Sequence, residues 1–117
     1  MKGLKQIQQQ IEHINFEDAQ IKHAEVKNGE VLVTVENWQT KLFRFRFKGV
    51  VYFKSFEFGS DLSKLQLSDD TEEIREAMRV IINDGGSIEG YAGLIQASFV
   101  SDTPVMIVVF QEFTNES

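Results

Sequence analysis

The stretch LFRFRFKGVVYFKSFEF, residues Leu42–Phe58, is where the fold is decided. It holds six of the ten phenylalanines and four cations, Arg44, Arg46, Lys48 and Lys54, in a chain of net charge −6. From Leu42 to Lys48 apolar and polar residues alternate, the period of a strand with two unlike faces. Phe43, Phe45 and Phe47 share one side, and Leu42, Arg44, Arg46 and Lys48 share the other. The first side reads as a core wall on which helices dock, the second as a surface. Gly49 interrupts the pattern as a bulge or tight bend does. Val50 to Phe58 resumes as a strand with less clearly sorted faces.

Working outward toward the N-terminus, Phe16 to Glu36 reads as a hairpin. Asn28-Gly29 is the pair that a two-residue type I′ turn prefers, because both positions need φ > 0. That turn fixes the register: Lys27 opposite Glu30, Val26 opposite Val31, Ala24 opposite Val33, His23 opposite Thr34. Ala24, Val26, Val31, Val33 and Val35 then form a dry face, while His23, Glu25 and Lys27 face water, with Leu32 an exception. Before the hairpin, Leu4, Ile7, Ile11 and Ile14 make one stripe on a helix of about 12 residues, which must dock to be stable. Asn15 is its expected stop.

Toward the C-terminus, Leu65 and Leu67 mark a short extended segment. Ser68-Asp69-Asp70-Thr71-Glu72-Glu73 is a helix start, with capping side chains and then acids in the first turn. Ile74, Ala77, Met78, Ile81 and Ile82 are the buried stripe of that helix, and Gly85-Gly86 its stop. Tyr91 to Val100 and Val105 to Phe113 read as two strands around a turn at Ser101–Pro104. The expected fold is a single α+β domain over residues 1–117. One mainly antiparallel sheet of about six strands carries two helices on one face, in the order α-β-β-β-β-(β)-α-β-β.

The 117 residues contain no cysteine, which excludes thiolate nucleophiles, CxxC redox pairs and cysteine zinc sites. No apolar run approaches the roughly 20 residues of a membrane helix, and the N-terminus lacks the apolar core of a secretory signal. A cytoplasmic protein with no membrane association is expected. His13 and His23 lack any serine and acid at a triad spacing, and both read as surface or edge residues. Asp69, Asp70, Glu72 and Glu73 coincide with a helix N-terminus and lack the EF-hand spacing. The glycine-rich run Asp84–Gly90 follows a helix, whereas a phosphate cradle opens one. The sequence therefore points to no catalytic residue, cofactor or metal.

What remains is the row Arg44, Arg46 and Lys48, spaced about 6.5–7 Å along one strand face. Such a row meets an acidic protein surface, or phosphates, or pairs across strands with Glu25, Glu36 or Glu57. Nucleic acid is disfavoured, because the phenylalanines lie on the opposite face and a base-stacking platform needs both on one side. Trp38, the lone tryptophan, sits in a turn. It is either a loop anchor to the core, the favoured reading, or a protein contact.

Asn15-Phe16-Glu17-Asp18-Ala19-Gln20-Ile21 leads from helix to hairpin, Glu36-Asn37-Trp38 ends a strand, and Phe47-Lys48-Gly49-Val50 ends the next. This pattern resembles small uncharacterised bacterial α+β domains, some grouped with toxin-immunity proteins, which often open with Phe-His-Asp. Glu17 stands here in the histidine position. The resemblance covers the first half of the chain and implies a small acidic protein that binds another protein. It carries over no functional residue. The leading expectation is a non-enzymatic protein-binding domain. The alternative is a ligand-binding or enzymatic domain with an aromatic pocket between sheet and helices, holding His13, His23 or an arginine. Self-association through a strand edge or Trp38 is the third.

Overall fold

The computed structural model describes residues 3–56, 61–86 and 93–116. The elements run α1 (Leu4–Ile11), β1 (Gln20–Lys27), β2 (Glu30–Glu36), β3 (Leu42–Lys48), β4 (Tyr52–Ser55), β5 (Lys64–Ser68), α2 (Glu72–Asn83), β6 (Ile95–Val100), β7 (Pro104–Phe110) and β8 (Glu112–Asn115). The α+β class holds, but the single six-stranded sheet does not. Two four-stranded antiparallel sheets form instead, in the orders β1-β2-β3-β8 and β4-β7-β6-β5.

The sheets divide where two neighbouring runs of chain bend. Gly49, at φ +63, leads β3 of the first sheet toward β4 of the second. Alongside it, Gln111 separates β7 from β8, so the expected strand Val105–Phe113 is split between the sheets. The two bends are tied to each other: the Gln111 amide donates to the Lys48 carbonyl at 3.0 Å, and the Val51 amide to the Val109 carbonyl at 2.9 Å. Strand alternation survives a bend of this kind, which is why the side-chain pattern alone reads as one sheet.

Phe43, Phe45 and Phe47 are core, as their alternation requires, but they face the second sheet rather than helices. The Phe47 ring lies 4.9 Å from Phe110 and 5.2 Å from Phe113, and Phe45 lies 6.4 Å from Phe99. Inward side chains of both sheets join one cluster that includes Val31, Val33, Val35, Ala97, Met106 and Val108. Aromatic pairs at these spacings add about 0.5–1.5 kcal/mol each beyond the area they bury.

The helices take separate places, against the expectation of one shared face. α1 sends Ile7 and Ile11 into the core and is bound to β8, where the Asn115 amide donates to Gln10 Oε1 at 3.3 Å and Asn115 Nδ2 donates to the Gln10 carbonyl at 3.2 Å. It is one turn shorter than its stripe, for Ile14 is buried beyond its end. α2 covers the outer face of the second sheet, with Ile74 packed among Leu94 and Val109. That layer is why β6 is buried along both faces.

Both ends of α2 follow the sequence. Thr71 accepts from the Ile74 amide at 3.1 Å and donates to Gln96 Oε1 at 2.6 Å. Gln96 Nε2 in turn donates to Ser98 Oγ at 3.0 Å, so these two buried polar side chains are bonded. At the other end Gly85, at φ +83, donates its amide to Ile82, and Gly86 donates to Ile81, the paired bonds of a Schellman stop. Residues 87–90 of the glycine-rich run, Tyr91, and Glu57 to Ser60 lie outside the described residues.

Candidate functional site

The β1–β2 hairpin has the expected register, Val26 to Val31, Ala24 to Val33 and His23 to Thr34, with a bulge between Ile21 and His23. Val26 departs from its expected dry face: it is 57% exposed, on the edge strand beside the turn. Register then places the candidate cations. Leu32 stands opposite Arg46 and Thr34 opposite Arg44, and on the far side of β3 Arg46 faces Thr114 and Lys48 faces Glu112.

Arg44, Arg46 and Lys48 therefore share the outer face of the first sheet, as their spacing predicts, and the face is not a basic stripe. Arg46 Nη1 bridges Glu30 Oε1 at 2.9 Å, and its Nε donates to Glu116 Oε2 at 2.8 Å. Arg46 thus pairs with Glu30 and Glu116 rather than with the expected Glu25 or Glu36, and Glu36 lies 3.7 Å from Lys22 Nζ. The hydrogen bond to Glu116, then that to Glu30, raises the Arg46 pKa further above its ordinary value. The same bond from Arg46, aided by the charges of Lys48 and Arg44, lowers that of Glu116. Cations and carboxylates are interleaved over this face, so it presents little net charge to phosphates. Lys54 is not part of this face. It belongs to β4 in the second sheet, with its Nζ 4.8 Å from the Phe56 ring.

Trp38 overturns the favoured reading of a core anchor. It is 62% exposed, at the end of the sheet where β2 returns as β3. The turn that carries it is firmly built. Asn37 Oδ1 accepts from the amides of Gln39 and Lys41, each at 2.9 Å, and the Asn37 amide donates to the Lys41 carbonyl at 2.9 Å. Thr40 closes the turn at φ +65, a left-handed position that a β-branched residue rarely takes. Leu42, on the outer face next to this turn, is also exposed. Sequence reasoning passed over Leu42 because it belonged to an otherwise clean alternation. It missed Glu116 because 70 residues separate it from Arg46.

Aromatic side chains pack on one another through the interior rather than lining a chamber. A groove of about 360 Å³ does lie between α1 and β5, lined by Ile11, Ile14, Phe16, Leu65 and Leu67, with no histidine or arginine among its described lining residues. His13 and His23 are both exposed, on the turn after α1 and on β1. Among the described residues no helix is long and apolar enough to cross a membrane. Comparison with models of known protein families, with curated proteins and with solved structures finds no match to this chain.

Proposed function

We propose that this chain is a non-enzymatic protein-binding domain of the cytoplasm, of the immunity type. It meets its partner with Trp38 and the adjoining outer face of the first sheet, where Arg44, Arg46 and Lys48 stand. One observation carries the reading: a lone tryptophan is held out in solvent on a hydrogen-bonded turn that includes a left-handed threonine. Exposed tryptophans rank among the strongest contributors to interfaces. The left-handed Thr40 lets this short loop close between paired strands, so the fold of the turn itself fixes where the tryptophan stands. The interleaved charges beside it suit recognition of a partner with a matching pattern, because charge arrangement selects partners more than it adds affinity.

The test is capture from the source lysate with the wild type and with Trp38→Ala and Arg44→Glu variants, followed by mass spectrometry. A specific protein retained by the wild type and lost from Trp38→Ala is the expected outcome, with binding weakened by about 2 kcal/mol or more. Stability should change by no more than about 0.5 kcal/mol, because the side chain packs little. Equal capture by wild type and Trp38→Ala rejects this surface. Light scattering on the purified chain separates partner binding from self-association through the same tryptophan.

A further inference from the structure

Each four-stranded sheet leaves two edge strands, β1 and β8 in the first and β4 and β5 in the second. An edge presents alternate main-chain N–H and C=O groups that only water or another extended chain can satisfy. Three of these edges are short, covered or guarded. β8 is met by Gln10 of α1, and β4 has only four residues. β1 carries a bulge and the charged side chains Lys22, Glu25 and Lys27, the devices that blunt an edge.

β5 is different. Its approach is paired on the outer side: the Leu62 amide donates to the Ala19 carbonyl at 2.7 Å, and the Asp18 amide donates to the Leu62 carbonyl at 2.9 Å. Beyond Leu62 the two chains part. Among the described residues no main-chain hydrogen bond reaches the outer side of Lys64–Ser68. The space left is the groove of about 360 Å³, with β5 as one wall, α1 as the other and an apolar floor that includes Ile14, Phe16 and Leu65. Lys64, on the strand wall, has no carboxylate partner among the described residues.

We infer that this groove takes an extended peptide segment of a protein partner, added as a further strand on β5. Two features select one occupant. Unpaired main-chain donors and acceptors call for another main chain in extended form, and the apolar floor calls for apolar side chains at alternate positions. Lys64 stands on the strand wall and Glu12 on the helix wall, so an acidic side chain is favoured on the β5 side of the added strand. A small apolar ligand would cover the floor and leave the edge unmet. This groove shares no residue with the Trp38 surface, so either site can fail without the other.

The experiment follows backbone amide signals of the ¹⁵N-labelled chain during titration with short peptides that alternate valine, isoleucine or leucine with aspartate or threonine. Shifts confined to Gln8–Phe16 and Lys64–Ser68 are expected, with hydrogen exchange of β5 amides slowed by about tenfold. The same peptides with every amide N-methylated should leave the spectrum unchanged, Lys64→Glu should weaken the acidic peptides, and Trp38→Ala should bind them as the wild type does. Equal binding of the N-methylated forms overturns strand addition in favour of simple apolar filling. Shifts elsewhere, or none at millimolar peptide, overturn the site.

Discussion

Arg46 within β3 and Gly49 just past its end show how much single positions can decide. A Cβ at position 49 would lie 2.9 Å from the Gln111 Cβ, at a backbone angle of φ +63 that L-residues avoid. Gly49→Ala is therefore expected to lower stability by about 1–3 kcal/mol, from the left-handed backbone and the forced contact together. Urea unfolding measures this, and an unchanged midpoint would mean that the chain does not bend there. Arg46 acts through charge. Because its hydrogen bond lowers the Glu116 pKa in the folded chain, the pair's contribution is fully present above the ordinary glutamate range. It is lost as pH falls through the lowered native value. NMR titration should find the Glu116 carboxyl below the usual range in the wild type and returned to it in Arg46→Gln. Added salt should narrow the difference, since both side chains keep about a third of their surface in water. A carboxyl that titrates alike in both proteins refutes the pairing.

At the scale of elements, the signals that proved reliable were local ones. The Asn28-Gly29 turn set a register that held along the hairpin, and the Thr71 cap and Gly85-Gly86 stop bounded α2 closely. Each depends on main-chain groups within a few residues, which sequence displays directly. Thr71 does more than its local role, because it also satisfies the buried Gln96 carbonyl oxygen across to β6. Thr71→Ala should cost about 1–2 kcal/mol for the cap, with an added penalty for the orphaned acceptor, whereas Thr71→Ser should retain most of the stability. Thermal unfolding of the two variants checks this. Equal losses would show that the methyl group, rather than the hydroxyl, matters. The free edge of β5 and its groove had no such local signal, since they depend on where α1 and the chain at Phe16 come to lie.

Over the whole molecule, the α+β class and the core face of β3 were legible, while the division into two sheets was not. An alternating strand looks the same whether its neighbours stay in one sheet or cross to another, and only the positive φ of Gly49 and the pairing of Lys48 with Gln111 mark the corner. The candidate surface was half legible for a related reason. Alternation put Arg44, Arg46 and Lys48 on one face, but the acids that pair with Arg46 come from β2 and from Glu116, far along the chain. Trp38 was misplaced because a turn tryptophan is as apolar as a core one, and nothing in its neighbours states which way it points. The same residue supplies the most direct test, since as the only tryptophan it dominates the emission of the whole protein. The folded chain should show the long-wavelength emission of a wetted indole and be quenched by acrylamide almost as readily as the urea-unfolded chain. Blue-shifted, quencher-resistant emission in the purified chain, shown by light scattering to be monomeric, would put Trp38 in the core and contradict the proposed binding surface.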